Sequence, residues 1–406
     1  MIKGRAGATW PTKTLTEVCQ IRPPRAEARR NGNGKELVSF VPMEDLGINQ
    51  KFLKPNQTKP LAEVAGSYTY FAEGDVLLAK ITPCFENGKL GIAANLTNGV
   101  GFGSSEYIVF RPNTVLDSQW LYYYLAREDF RLEGAARMGG AVGHKRVSKE
   151  FIESYQIPLP PVSEQRRIVG ILDKAFDTIA TAKANAEKSL QNARALFESH
   201  LAAVFSTRGH VTTVRIGDVA AVYDGPHATP KTVDVGPVFL GISALQDGRV
   251  NLSETRHVTA EDFRRWTRRV KPQPNDIVFS YETRLGQAAI IPDGLECCLG
   301  RRMGLIRPDA KRLDPRFFVY QYISPPFRQY LASRTVRGAT VDRISLKEFP
   351  SFPIAISGLA DQRRVADECE AVRSETARLE SLYRQKLAAL EALKQSLLHQ
   401  AFTGAL

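Results

Sequence analysis

Ile157-Pro158-Leu159-Pro160-Pro161-Val162-Ser163-Glu164-Gln165-Arg166-Arg167-Ile168 joins an extended segment to a helix. Proline removes a backbone donor and clashes inside a helix, so Pro160-Pro161 bars an earlier start. Ser163 reads as the N-cap, with the helix opening at Glu164. From Glu164 to Phe205 there is no proline, and the one glycine is Gly170. Ile168, Leu172, Ala175, Ile179, Ala182 and Ala186 alternate steps of four and three, the seam of a coiled coil. Leu190, Ala193, Phe197 and Leu201 resume it after a phase shift, as a stutter would.

The junction occurs twice. Phe352-Pro353-Ile354-Ala355-Ile356-Ser357, followed by Asp361-Gln362-Arg363-Arg364-Val365, has lost Pro-Pro and the glutamate but keeps the glutamine and the helix. Val365, Cys369, Val372, Thr376, Leu379, Tyr383, Leu387, Leu390 and Leu397 mark the second seam. At an offset of 197, Gln165-Arg166-Arg167 answers to Gln362-Arg363-Arg364, Leu116-Asp117 to Leu313-Asp314, and Phe205 to Phe402. Gly74-Asp75-Val76-Leu77 resembles Asn275-Asp276-Ile277-Val278, and Arg111-Pro112 resembles Arg307-Pro308. The chain is therefore two halves, each a globular part and a long helix. The expected parts are 1–163, 164–205, 206–360 and 361–406. A helix of some 40 residues is about 60 Å long at 1.5 Å per residue. The globular parts read as α+β. Residues 71–80 read as a turn and a strand, with 276–281 as the equivalent strand. Residues 103–110 read as another strand, and 118–131 as a helix answering to 315–333.

The chain has 406 residues, 43% of them hydrophobic, and a net charge of +12. Residues 1–163 carry +4 and 206–360 carry +7, while the helices are nearly balanced. The excess lies on the globular parts and favours a polyanion partner. There is no apolar run of about 18 residues, so no membrane span is expected. Met1-Ile2-Lys3-Gly4-Arg5 is not followed by an apolar stretch, so no secretory signal is expected either, and a cytoplasmic location follows. Cys19, Cys84, Cys297, Cys298 and Cys369 form no C-x-x-C pair and signal neither a disulfide framework nor a zinc site.

Catalytic patterns are sparse. The six histidines show no metal-ligand spacing, and no G-x-S-x-G elbow occurs. Asn31-Gly32-Asn33-Gly34-Lys35 lacks phosphate-loop spacing, and Glu36 stands where a hydroxyl is needed. No glutamate is followed two residues later by lysine, as an E-x-K nuclease requires, and Asp309-Ala310-Lys311 reads as a turn. Ser324-Pro325-Pro326-Phe327 matches the S-P-P-[FY] tetrapeptide of DNA amino-methyltransferases, which holds the amine of a flipped base. Its counterpart in the first half, Arg127-Glu128-Asp129-Phe130, has no such sequence. A Pro-Pro helix connection is the favoured reading, with a stand-alone methyltransferase as the alternative. A coiled-coil scaffold that binds protein or RNA is the third.

The duplicated layout, the twin junctions and the ending Leu398-His399-Gln400-Ala401-Phe402-Thr403-Gly404 resemble the specificity subunits of type I restriction–modification enzymes. The resemblance covers essentially the whole chain. It implies two target-recognition domains, each reading one half of a split DNA target. They would be joined by two antiparallel coiled-coil helices with pseudo-two-fold symmetry. It also implies a non-catalytic chain bound to double-stranded DNA and two methyltransferase subunits, with two motor-nuclease subunits in the full complex. S-adenosylmethionine and ATP/Mg would sit on those other subunits, leaving no cofactor here. Base edges are read mainly by Arg, Lys, Asn and Gln, with phosphate contacts fixing register. The expected contacts in the first domain are Lys80, Thr82, Lys89 and the segment Gly143-His144-Lys145-Arg146. In the second they are Tyr281, Arg284, Arg301, Arg302, Arg337, Thr340 and Arg343. Arg264-Arg265 and Arg268-Arg269, around Trp266, are expected to face phosphate.

Overall fold

Strands Val76–Ala79 and Tyr107–Pro112 are buried over Val76-Leu77-Leu78-Ala79 and Tyr107-Ile108-Val109-Phe110. Side chains alternate across a strand, so an unbroken apolar run means that both faces of the sheet are covered. In the computed structural model, which describes residues 10–29, 35–141, 143–206, 211–336 and 341–406, they are. Val76, Leu78, Ile108 and Phe110 face a core shared with Trp120, Leu121 and the long-helix residues Ile168 and Leu172. Leu77, Ala79, Tyr107 and Val109 face a second core with Val41, Leu46 and Phe71.

The chain packs as two units, Met1–Ala186 with Lys386–Leu406, and Glu187–Gln385. The first holds two four-stranded sheets. One is ordered Cys19–Ile21, Tyr107–Pro112, Val76–Ala79, Leu90–Ile92, all antiparallel. The other is ordered Gln57–Pro60, Leu37–Val41, Val100–Gly103, Thr69–Ala72, with a parallel pair at its centre. Thr12–Thr14 pairs with Gln156–Pro158 and closes the globular part at the junction.

The second unit follows a similar plan, with one four-stranded and one three-stranded sheet. Ala220–Asp224, Met303–Pro308, Ile277–Ser280 and Ala288–Ile290 form the four-stranded sheet. Val233–Leu240 runs parallel to Cys297–Leu299 in the other, and Thr212–Arg215 pairs with Pro353–Ile356 at the junction. Gly103 and Gly300 mark the same close approach beside the parallel pair. A Cβ on Gly103 would lie 2.3 Å from the carbonyl of Val41, and one on Gly300 2.4 Å from that of Leu240. The class is α+β, as the sequence predicts.

The helices run Val162–Ser206 and Leu359–Phe402. The first starts two residues before the expected Glu164, so Ser163 lies inside the first turn and is not the N-cap. Pro161 can precede a helix because its missing donor is needed only further in. Ile168, Leu172, Ala186, Ala193 and Leu201 are buried along the expected seam. In the first unit Arg167 donates to the Leu406 carbonyl at 2.8 Å, and Lys394 lies 5.7 Å from the Phe176 ring. In the second, Arg194 lies 3.4 Å from Glu380 and His200 3.7 Å from Glu368. In each unit residue numbers rise on one helix as they fall on the other, so the segments are antiparallel.

Gln165 and Gln362, both fully buried, tie each helix to its globular part in the same way. Gln165 accepts from the Asp117 N–H at 2.8 Å and donates to the carbonyls of Val115 and Pro160 at 2.9 and 2.8 Å. Gln362 accepts from the Asp314 N–H at 2.9 Å and donates to Arg312 and Ser357 at 2.9 and 2.7 Å. Asp117 and Asp314 in turn N-cap the helices Ser118–Leu125 and Pro315–Ile323.

Three expected elements divide differently. The strand expected over 103–110 is two strands, Val100–Gly103 and Tyr107–Pro112, separated by a turn that carries Glu106. The helix expected over 118–131 is Ser118–Leu125 followed by Glu128–Ala136. Its counterpart over 315–333 is Pro315–Ile323 followed by Pro325–Ser333. The second break has a plain cause. Pro325 pushes Ser324 out of the helical region, to φ −66° and ψ 149°. Asn31, Gly32, Asn33, Gly34 and His210 lie outside the described residues.

Candidate nucleic-acid interface

In each unit three pieces of chain meet where the four-stranded sheet ends. They are the residues after its central strand, the turn before its neighbour, and the segment before the junction. In the first unit the Lys80 N–H donates to the Glu106 carbonyl at 2.9 Å, Thr82 N–H to Lys145 at 2.9 Å, and Val147 N–H to Lys80 at 2.9 Å. In the second the Tyr281 N–H donates to Arg302 at 3.3 Å, Thr283 N–H to Asp342 at 3.4 Å, and Ile344 N–H to Tyr281 at 2.8 Å. Ile81 bridges Arg146, and Glu282 bridges Arg343. The pairings Ala79–Tyr107 and Ser280–Met303 set the register. Lys80 therefore corresponds to Tyr281, Ile81 to Glu282, Glu106 to Arg302, and Arg146 to Arg343.

The side chains at these equivalent places differ. Arg146 forms a two-pronged pair with Glu106, Nε to Oε2 at 2.9 Å and Nη2 to Oε1 at 2.8 Å, and its Nη1 donates to the His144 carbonyl at 3.1 Å. These hydrogen bonds hold the Glu106 carboxyl below the usual carboxylate range. The Lys80 ammonium donates to the Ser105 carbonyl at 2.8 Å and lies 3.7 Å from Glu106. Burial pulls its pKa down, against the pull of Glu106. The Thr82 hydroxyl donates to Glu86 at 3.2 Å. His144 and Lys145 are exposed.

In the second unit Arg302 Nε lies 2.7 Å from Glu282 Oε2, and Arg343 is exposed. The buried Tyr281 donates its hydroxyl to Asp224 Oδ1 at 3.2 Å, and burial pushes that phenol's pKa up. Asp224 Oδ2 is also met by His227 Nε2 at 2.8 Å and by Arg269 Nη1 at 3.4 Å. The cluster 264–269 thus adjoins this corner. A cavity of about 450 Å³ opens between Asp224, His227, Arg265, Trp266, Arg268 and Arg269.

Lys80, Thr82, His144, Lys145 and Arg146 come together, as do Tyr281, Arg302 and Arg343. Arg301, exposed, precedes Arg302 in the same turn. Lys89 and Arg284 are engaged elsewhere. The Lys89 ammonium donates to the Met43 carbonyl, in the 3-10 turn Met43–Asp45, at 2.6 Å, and Arg284 Nη1 lies 3.5 Å from the carbonyls of Ile242 and Ser243, in the equivalent 3-10 turn Ile242–Ala244. Arg337 and Thr340 lie outside the described residues. Glu106, Glu282 and Asp224 escaped the sequence reading, because a search for polyanion contacts passes over acids. The one available signal was that basic residues crowd around them once the strands are paired.

Ser324 is fully buried. Its hydroxyl donates to the Gln321 carbonyl at 2.6 Å and caps the helix Pro325–Ser333 through the Phe327 N–H at 3.5 Å. The tetrapeptide is a helix connection with its hydroxyl already committed. Burial also pushes the Cys19, Cys297 and Cys298 thiols up to about 12, so these cysteines are packing groups. Among the described residues no helix is long and apolar enough to cross a membrane.

Residues 8–192 match the family model of the type I restriction modification DNA specificity domain. The chain is 37% identical over 194 residues to the type I restriction enzyme EcoEI specificity subunit of Escherichia coli. That match covers 48% of this chain and 32% of that protein, so the chain spans about a third of this relative. In fold it is similar to the HsdS subunit of Thermoanaerobacter tengcongensis, with a TM-score of 0.65 and 20% identity over 100% of this chain and 99% of that one. A chain solved in work on complex assembly and conformational transition of the type I R-M system has a TM-score of 0.76 and 21% identity over the whole of both chains. The similarity to the type I restriction modification DNA specificity domain thus lies in residues 8–192, just under half of the chain.

Proposed function

We propose that the chain is the non-catalytic DNA-specificity subunit of a type I restriction–modification complex. Each unit reads one half of a bipartite target in double-stranded DNA. The long helices set the spacer between the half-sites and dock two methyltransferase subunits, which bring S-adenosylmethionine. Two motor-nuclease subunits bring ATP/Mg in the complete assembly, in the cytoplasm. The observation that carries this reading is the same three-chain corner built twice with different side chains. Two like surfaces with unlike readers suit two half-sites of unlike sequence. Direct readout in the major groove depends on which donors and acceptors stand at each position.

The test is single-molecule methylation mapping in cells expressing this chain with its methyltransferase partner, against cells lacking this chain. A two-part methylated motif that disappears in the control is expected. Unchanged methylation, with the partner expressed and assembled, would overturn the reading. Ser324→Ala separates it from a stand-alone methyltransferase. Removing a helix cap costs about 1 kcal/mol. A slightly lower melting temperature with full methylation of the motif is therefore expected. Loss of methylation from a folded Ser324→Ala complex would favour the alternative.

A further inference from the structure

The ion pair at the reading corner is built from different positions in the two units. In the first, the guanidinium comes from the segment before the junction (Arg146) and the carboxylate from the turn (Glu106). In the second, the turn position equivalent to Glu106 supplies the guanidinium, Arg302. The carboxylate, Glu282, comes from the strand end at the place of Ile81. A duplicated structural bond would keep its residues in place, as Gln165 and Gln362 do. This pair is instead rebuilt in reverse, with one property preserved. The arginine lies outside and the glutamate beneath it. Side-chain exposure is 46% for Arg146 over 22% for Glu106, and 32% for Arg302 over 19% for Glu282.

We infer that Glu106 and Glu282 are positioning residues for base reading, each holding one arginine in a fixed orientation toward DNA. The inference rests on the proposed specificity role and names the devices that give each half-site its reader. An exposed arginine samples many rotamers, and ordering its long side chain costs binding free energy. A carboxylate that grips one edge of the guanidinium removes that cost in advance. In Arg146, Nε, Nη1 and Nη2 each give one hydrogen to the protein, and one hydrogen remains on each of Nη1 and Nη2. These two can meet the O6 and N7 acceptors of a guanine, the commonest specific contact in the major groove. The carboxylate also cancels the arginine's charge, so it weakens indiscriminate phosphate attraction while improving discrimination.

That pair of opposing effects defines the test, made on the complete complex with its methyltransferase partner. A pool of randomised duplexes serves as probe, alongside the split motif found by methylation mapping. Glu106→Gln is expected to reduce discrimination about tenfold at positions of one half-site only. The same variant should bind non-target duplex more tightly, with a steeper salt dependence, because Arg146 is released. Glu282→Gln should do the same at the other half-site. Adding Glu106→Gln to Arg146→Ala should change discrimination no further. A merely structural carboxylate would weaken target and non-target binding together. Unchanged discrimination in folded Glu106→Gln and Glu282→Gln complexes overturns the inference, as does a loss spread over both half-sites. Should Glu106→Gln fail to assemble, Glu282→Gln in the other unit decides alone. If the wild-type complex shows no split motif, the specificity reading fails first, separately from this inference.

Discussion

Gln362→Leu is expected to destabilise the second unit by about 4 kcal/mol, roughly 10 °C in its melting temperature. Leucine fills the space but makes none of the three hydrogen bonds. The Asp314 N–H and the carbonyls of Arg312 and Ser357 would lose their glutamine partner at a residue with no solvent exposure. Each buried group left unpaired costs about 1–3 kcal/mol. The Asp314 N–H also begins the turn whose carboxylate caps Pro315–Ile323, so the loss spreads to the helix that packs on the sheet. Gln362→Glu should be worse, since a carboxylate replaces the donor that faces two carbonyls. Gln165→Leu should act the same way on the first unit. The exposed neighbour Arg363, replaced by alanine, should change stability by no more than about 0.5 kcal/mol. Differential scanning calorimetry on the four variants checks this. A Gln362→Leu protein melting within a degree or two of wild type would sink the account of how the helix is fastened.

Arg111→Met is the second large effect, expected to cost about 3–5 kcal/mol near neutral pH. Asp75, 1% exposed, receives Arg111 Nε at 2.8 Å and Nη2 at 2.7 Å, and one backbone bond from the Ala72 N–H at 2.8 Å. Glu27 also pairs with Arg111. Methionine fills the arginine's space and strands a charged carboxylate. Burial already pushes the Asp75 carboxyl above its ordinary value of 3.8, with Arg111 pulling the other way. Without Arg111 the folded pKa rises further. A carboxyl whose folded pKa exceeds the unfolded one binds its proton more readily when folded. Its stabilising contribution is present below pH 3.8 and is lost as pH rises through the folded value. The penalty of Arg111→Met should therefore be largest at neutral pH and shrink as pH falls toward 4. Urea titrations at several pH values read this directly, and a penalty that grew on acidification would contradict it. Asp276 and Arg307 repeat the pair at 2.8 and 2.7 Å, so Arg307→Met should weaken the second unit comparably at neutral pH.

Much of this architecture was legible because it is written in local periodicity. The helix seams depend on spacing within a few turns, and the buried positions Ile168, Leu172, Ala186, Ala193 and Leu201 fall where the four-three rhythm puts them. Both junctions and the α+β class follow from residues close in sequence, and the duplication from the same short patterns recurring at an offset of 197. The helix breaks at 126–127 and at Ser324, and the turn at 104–106, were harder. Each depends on a few residues inside an otherwise continuous pattern, and only Pro325 announces its effect.

The basic segments before the junctions and after the central strands were visible as composition. Their meeting was decided by tertiary structure. Thr82 and Lys145, or Thr283 and Asp342, are some sixty residues apart, and only strand pairing puts them within a hydrogen bond. The same pairing turned Lys89 and Arg284 to backbone carbonyls of the 3-10 turns while leaving Arg146 and Arg302 more exposed than the glutamates they pair with. Sequence by itself determined which segments carry charge and which helices carry the units, since those are sums and rhythms along the chain. Tertiary structure decided which charges survive pairing, because a carboxylate neutralises a guanidinium through distance in space and not through separation in sequence.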